Sequence, residues 1–192
     1  MSGAVHRRLV LFGLGLLATG CASPEPNLYR LLPRPGVQRP GGPGLLELRQ
    51  VGVPGYLDRP EIVRAGEGPR LRSLPNERWA EPLGDLIGSV LSEDLTLRLP
   101  GMTVATEGGA LRAEGEVVVE VDIQRFEAGE AGRVELVAQV SVRRRAARNR
   151  RDTRIVRLGA LPAGPDTAAM VAAMSDALGG LADAIAGMAV GR

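Results

Sequence analysis

The sequence predicts a single α/β domain, in which a mixed and mostly antiparallel sheet of about five strands is flanked by two long helices. Two segments place apolar residues at the three- and four-residue spacing of an amphipathic helix. Two other segments alternate apolar and polar residues, as half-buried antiparallel strands do. No internal repeat is found, so these segments are interpreted as parts of one domain.

The first half of the body is predicted to contain short strands separated by chain breakers. Residues 28–32 and 45–53 are predicted strands, and residues 33–44 between them hold four prolines and four glycines and are predicted to be a loop. Residues 61–64 and 70–74 form two further predicted strands, joined by a turn.

The first long helix is predicted from its apolar face, which repeats at helical spacing in Leu83, Leu86, Ile87, Val90, Leu91 and Leu95. Pro82 suits the first turn, and Pro100 with Gly101 stops the run.

The remaining elements follow from alternation and capping. Residues 117–123 and 134–142 are predicted to pair as a hairpin, and residues 153–161 to add a strand. The last helix is predicted to begin near Thr167 with Asp166 as its N-cap. Its apolar stripe is interpreted as core packing and consists of Met170, Met174, Leu178, Leu181, Ile185 and Met188.

The N-terminus has the three parts of a secretory signal. Arg7 and Arg8 are followed by an apolar run and then by small residues before Cys21. The run is about half the ~20 residues that span a bilayer. Small residues directly before the only cysteine resemble the lipobox of bacterial lipoproteins, although Ala18 stands where leucine is usual. The alternative is an ordinary secretory signal with an unrelated cysteine.

We therefore expect residues 1–20 to be a lipoprotein signal peptide, residues 21–27 a tether acylated at Cys21, and residues 28–192 the folded domain. Acyl chains on Cys21 would hold the protein to a membrane. Ala22, rather than aspartate, follows the cysteine. By resemblance to enterobacterial lipoproteins, this favours the periplasmic face of the outer membrane.

Composition excludes several kinds of chemistry. Removal of Arg7 and Arg8 leaves 22 arginines against 22 acidic residues, so no nucleic-acid partner is expected. The only histidine leaves with the signal, and the only thiol is lost when Cys21 is acylated. Together these exclude catalysis by histidine or cysteine, and histidine- or thiolate-bound metal, in the mature chain. We therefore predict no catalytic residue, no cofactor and no metal. A hydrolase that uses only carboxylates is the open alternative.

Two motifs carry a family resemblance. Tyr56-Leu57-Asp58-Arg59-Pro60 and Trp79-Ala80-Glu81-Pro82-Leu83, together with the lipobox, the paired strands and the alanine-rich last helix, resemble the ABC-type transport auxiliary lipoprotein family. These are PqiC-like lipoproteins that serve as membrane-integrity-associated transporter subunits. The resemblance covers nearly the whole mature chain.

The resemblance implies an α/β fold and a non-catalytic accessory role in intermembrane lipid transport. It implies partnership with a periplasmic MCE-domain protein and its inner-membrane components, contact with phospholipid, and a ring-like homo-oligomer. The alternative function is that of a structural or regulatory envelope lipoprotein acting on the cell-wall machinery.

Each motif has a structural and a functional interpretation. Tyr56, Leu57, Asp58, Arg59 and Pro60 are candidates for partner binding, whereas the structural alternative is a turn in which Asp58 pairs with Arg59. The second motif is interpreted as a helix start. Trp79 would be a core anchor and Glu81 would lie at the positive end of the helix, with Pro82 and Leu83 following it.

A run of arginines between the predicted strands departs from the family pattern. It includes Arg143, Arg144, Arg145, Arg148, Arg150 and Arg151. The functional hypothesis is contact with anionic lipid or with an acidic partner. The alternative is a solvated hairpin tip that discourages pairing between sheet edges.

Overall fold

The structure is a computed structural model that describes residues 24–109, 115–145 and 150–191. Within these ranges the elements are, in chain order, β1 (Asn27–Tyr29), β2 (Gly44–Leu48), β3 (Glu61–Ala65), β4 (Leu71–Trp79), α1 (Leu83–Arg98), β5 (Met102–Thr106), β6 (Val117–Ala128), β7 (Val134–Arg144), β8 (Arg150–Ala160) and α2 (Thr167–Val190). Cys21 and Arg148 lie outside the described residues, so the lipidation prediction remains a prediction.

The larger sheet has five strands in the order β5-β2-β6-β7-β8. β2 runs parallel to both β5 and β6, whereas β6, β7 and β8 form an antiparallel meander. Val119 lies opposite Val142, and Val121 lies opposite Val140. The apolar residues of both strands therefore share the buried face, as their alternation predicts.

A second sheet of three strands has the order β1-β4-β3. β3 and β4 form the predicted hairpin, and β1 runs parallel to β4 with Tyr29 opposite Trp79. This sheet contacts the larger one through β3 and β6. It brings the chain segment that follows the tether beside the second motif.

The two helices pack on each other, and α2 also covers β7 and β8. Asp166 caps α2 as predicted, since its side chain accepts a hydrogen bond from the backbone N–H of Ala169 at 2.7 Å. Residues 167–190 are long and apolar enough to cross a membrane, but 61% of the most apolar window is buried inside the domain. The methionine-containing stripe is accordingly core packing.

Residues 31–39 form a strap that runs between α1 and α2 and bonds to both. The backbone N–H of Leu32 donates to the Ser175 hydroxyl of α2, and that of Arg34 donates to Asp94 of α1 at 2.7 Å. The N–H of Arg39 donates to the carbonyl of Arg98 at 2.7 Å. The predicted loop is therefore irregular but firmly held, because the helices supply its hydrogen-bond partners.

Arg98 fastens the strap from inside the protein, where its side chain is 1% exposed. Its guanidinium group donates to Asp183 at 2.8 Å and to the carbonyl oxygens of Arg34 and Gly179 at 2.8 and 2.9 Å. A Cβ at Gly36 would overlap this guanidinium group, so the strap passes Arg98 only with glycine there.

The predicted fold class is confirmed, with the strands divided between two sheets, and the bounds of several strands differ from those predicted. β1 begins at Asn27, inside the predicted tether, β2 ends at Leu48 rather than at residue 53, and β6 extends to Ala128. β4 extends to Trp79 rather than stopping at residue 74, because pairing with both β1 and β3 stabilises its second half. β5 lies outside the predicted strands, and it forms by parallel pairing with β2.

Candidate functional site

The two motifs meet at the surface. The first motif lies in the loop between β2 and β3, and the second links β4 to α1. The backbone N–H of Trp79 donates to the carbonyl of Pro60 at 2.8 Å, and the N–H of Ala80 donates to the carbonyl of Tyr29 at 2.8 Å. Backbone bonds thus join the two motifs to each other and to the strand that follows the tether.

The first motif begins in a tight turn. The N–H groups of Leu57 and Asp58 both donate to the carbonyl of Pro54, at 2.8 and 3.2 Å. Just before this turn, Gly52 bridges to the edge of β6 through the backbone of Val121 and Ile123. The residue that precedes the turn is therefore hydrogen-bonded to the larger sheet, which fixes the start of the turn.

Tyr56 and Leu57 have structural roles in this loop. Leu57 is 3% exposed and belongs to the core. The Tyr56 hydroxyl donates to Glu127 at 2.6 Å. Burial, followed by the hydrogen bond to the Glu127 carboxylate, raises the pKa of the Tyr56 hydroxyl well above its usual range. This tyrosine therefore stays protonated and holds the loop to β6.

The second motif is anchored by its aromatic residue. Trp79 ends β4 and is 6% exposed. Pro82 occupies the N-cap position of α1, with no side-chain capping bond, and Leu83 is buried beneath the first turn. Glu81 is exposed directly before the helix, as predicted. The motif is thus a rigid connection between a strand and a helix.

Between the motifs lies a surface cavity of about 330 Å³, here named the motif pocket. Its lining consists of Asp58, Arg59, Pro60, Trp79, Ala80, Glu81 and Pro82. The contact between the two motifs was not predicted, because nothing in the sequence shows that the Trp79 N–H reaches the carbonyl of Pro60. Pairing of β4 in the smaller sheet brings them together.

The charged side chains of the motif pocket are available to a partner. Asp58, Arg59 and Glu81 are all exposed. In the described part of the chain none of the three forms an ion pair, so the predicted Asp58–Arg59 pairing is absent. Two carboxylates and one guanidinium group thus face solvent beside apolar proline and tryptophan surfaces.

The motif pocket suits binding better than hydrolysis. A general acid at neutral pH needs a carboxyl group in an apolar, partly buried setting, whereas Asp58 and Glu81 are both exposed. Among residues 24–109, 115–145 and 150–191, no group of three or more metal-ligating side chains occurs. Polar groups at the rim of an apolar surface are a feature of protein interfaces.

The arginines of the basic run occupy different environments. Arg144 donates to the carbonyl oxygen of Met188 at 2.5 Å and so caps the end of α2. Arg151 pairs with Glu120 at 3.5 Å. Arg144 and Arg151 therefore have structural roles. The sequence does not show these roles, because the partner residues lie in α2 and β6, which are distant in the chain.

Sequence reasoning missed the polar cluster around Arg98. Asp94 and Arg98 are 0% and 1% exposed, although both are charged. Their positions, seven and eleven residues after Ile87, place them on the apolar face of α1. That spacing is the signal that would have identified them as inward-facing residues.

A known protein family matches most of the chain. The family described as "ABC-type transport auxiliary lipoprotein component" matches residues 29–186. A search of curated proteins finds no significant match.

Solved structures share the fold at low sequence identity. A crystal structure of an uncharacterized protein is 20% identical, with a TM-score of 0.71, covering 85% of this chain and 97% of that one. Protein XCC0632 from Xanthomonas campestris is 18% identical, with a TM-score of 0.69 and coverage of 85% and 94%. The hypothetical protein CT253 from Chlamydia trachomatis is 11% identical, with a TM-score of 0.50 and coverage of 79% and 100%. At these identities the likeness establishes the fold alone.

Proposed function

Because the chain belongs to the ABC-type transport auxiliary lipoprotein family, we propose that it is a non-catalytic accessory subunit of an MCE-type intermembrane lipid transport system. In this role it docks the periplasmic conduit at the outer membrane and supports envelope integrity. Its partners are an MCE-domain periplasmic protein and the inner-membrane components, with phospholipid as the transported material.

The motif pocket is the observation that carries this proposal. Its backbone is fixed by the Trp79–Pro60 bond and by the Tyr56–Glu127 bond, so binding would order few additional groups. Its charged groups, Asp58, Arg59 and Glu81, have no ion-pair partner among the described residues. A preorganised surface with unpaired charge of both signs is suited to recognising a protein partner.

Acylation of Cys21 is the proposed means of attachment. Only residues 22–26 separate this cysteine from β1, and five residues span at most about 18 Å. β1 bonds to the second motif through Tyr29. The motif pocket would therefore lie close to the membrane that holds the acyl chains, where the end of a conduit would arrive. A homo-oligomeric ring around that conduit remains part of the proposal.

The test is capture of the tagged, full-length lipoprotein from detergent-solubilised membranes of its own host, followed by mass spectrometry of proteins and lipids. The motif variant combines Asp58→Arg with Arg59→Asp. The control variant combines Glu67→Arg with Arg70→Glu, two exposed residues on the β3–β4 turn. Both variants keep the net charge.

We expect the wild-type protein and the control variant to enrich an MCE-domain protein, and the motif variant to lose it. Enrichment of cell-wall enzymes without an MCE protein would refute the transport role and support the regulatory alternative. Equal enrichment by the motif variant would place the interface elsewhere.

A further inference from the structure

The end of the β7–β8 hairpin concentrates positive charge. We name the described arginines there, Arg143, Arg144, Arg145, Arg150 and Arg151, the basic tip. Cross-strand register places Arg143 opposite Arg151 and Arg144 opposite Arg150. Like charges directly opposite one another destabilise a sheet. Two such pairs in succession therefore weaken the hairpin that carries them.

Within the part of the chain that the structure describes, three acidic residues lie beside the five arginines of the basic tip. Glu120 pairs with Arg151 at 3.5 Å, with both side chains about half exposed. Glu116 is adjacent, since its carbonyl accepts a hydrogen bond from the N–H of Arg145. The nearby Asp152 is already paired with Arg154 at 2.7 Å. Counted over these described residues, the five arginines outnumber the carboxylates, so the formal charge of the basic tip is positive.

Helix α2 fixes the position of the basic tip relative to the tether. The chain that follows β1 runs along α2, because the N–H of Leu32 donates to Ser175 in the first half of the helix and the N–H of Val37 donates to Asp183 further along it. β1 and the tether therefore lie towards the start of α2. Arg144 contacts Met188 and Ala189 at the other end of the helix. A helix of 24 residues is about 36 Å long, so the tether and the basic tip lie at opposite ends of the domain.

The tether end also has the apolar surface expected next to a bilayer. Leu28 in β1 is 65% exposed, and Leu161, between β8 and α2, is 69% exposed. A tether with five residues between Cys21 and β1 keeps this end close to the membrane. With the tether end on the membrane, the basic tip faces away from it.

We propose that the basic tip is an interaction surface for an acidic segment of a periplasmic protein. The inference rests on the proposed function for the acyl anchor at Cys21. Arginine binds carboxylates with two parallel hydrogen bonds, and a cluster of arginines accelerates encounter with an acidic partner. The distance from the tether end argues against the membrane that holds the anchor as the occupant.

Site-specific crosslinking in the host tests the proposal with the full-length acylated protein. The photoreactive residue benzoylphenylalanine replaces Thr153, an exposed residue of β8 close to the basic tip and opposite Ser141. It is introduced into wild type, into Arg150→Glu with Arg151→Glu, and into Arg64→Glu with Arg72→Glu. The last pair is a matched control, because these exposed arginines also face each other across a hairpin and carry the same charge.

We expect an adduct with a protein whose crosslinked peptide has an excess of aspartate and glutamate. Its yield should fall roughly fivefold or more in the basic-tip variant and less than about twofold in the control. Adducts with lipid alone, no adduct, or equal yield in all three proteins would overturn the proposal. A melting temperature within about 2 °C of wild type establishes that each variant is folded.

The outcomes separate this proposal from the docking function. Failure of the wild-type protein to capture an MCE protein, with an acidic adduct still formed at residue 153, would refute the transport role and leave the basic tip as an interaction surface. Capture of an MCE protein, with no charge-dependent adduct at residue 153, would support the transport role and refute the basic tip as an interaction surface. An intact-mass measurement showing that the purified wild-type protein carries no acyl chains on Cys21 would remove the orientation argument and with it the proposal.

Discussion

Arg98 and Arg59 each lie near two carboxylates, yet they have opposite roles. Arg98 is buried, pairs with Asp94 and Asp183, and bonds to the strap. Arg59 is exposed, and no ion pair joins it to Asp58 or Glu81 within the described ranges. The comparison shows that buried Arg98 can hold the fold because carboxylate and carbonyl oxygens accept its hydrogen bonds. An exposed charge with no internal partner remains available for binding.

The largest expected effect comes from removing the buried guanidinium group. Arg98→Ala leaves Asp94 and Asp183 without their ion-pair partner and releases the strap, which should lower the free energy of unfolding by about 3–5 kcal/mol. Urea unfolding of the detergent-solubilised protein measures the change. Arg59→Ala is the control, with an expected change within about 0.5 kcal/mol. If both substitutions changed the free energy of unfolding equally, the assignment of Arg98 to stability and of Arg59 to binding would be wrong.

A smaller loss of stability is expected from a substitution at Tyr56, in the loop that leads to the motif pocket. Tyr56→Phe removes the hydroxyl that donates to Glu127 at 2.6 Å. The Glu127 carboxylate then keeps the longer hydrogen bond from the N–H of Phe126, at 3.3 Å. The expected loss of stability is about 1–2 kcal/mol in the same unfolding assay. An unchanged stability would mean that the loop is held by Leu57 and its backbone bonds alone.

The buried cluster should also respond to pH. Burial raises the pKa of Asp94 above its ordinary value, although the Arg34 N–H and the Arg98 charge act against it. The folded state therefore binds this proton more tightly than the unfolded chain does. Stability from this group is present below an ordinary carboxyl pKa of 3.8 and is lost as pH rises through the raised value.

Asp94→Asn isolates this contribution. The stability of wild type relative to the variant should decrease as pH rises from about 4 towards neutrality, because asparagine takes up no proton. Parallel urea titrations of both proteins across this range measure the difference. A difference that stays constant, or that grows with pH, would contradict the raised pKa of Asp94.

The smallest effect on stability is expected in the motif pocket itself. Glu81→Gln removes a negative charge next to the N-terminus of α1 and should lower stability by about 0.3–1 kcal/mol. The same substitution should reduce capture of the docking partner much more than it reduces stability. A loss of capture no larger than that of an equally destabilised core variant would assign Glu81 a structural role alone.

Prediction from sequence succeeded where the pattern is local. The alternation of β6 and β7, the apolar face of α1 and the Asp166 cap each follow from spacing within one segment, and each is confirmed. Both motifs were identified as surface or helix-start segments for the same reason. β5 was missed because its five residues form a strand by parallel pairing with β2, a partner more than fifty residues away.

The sequence by itself determined the α/β class, the two helices, the charge balance and the position of the single cysteine, since all of these depend on composition or on periodicity within a segment. Only the tertiary structure decided which charges are free and which are satisfied. Arg98 and Arg144 are bonded to groups distant in the chain, whereas Asp58, Arg59 and Glu81 are brought together by β4 pairing and have no ion-pair partner in the described residues. The physical reason is that hydrogen-bond satisfaction is a property of three-dimensional proximity, which a one-dimensional pattern does not contain.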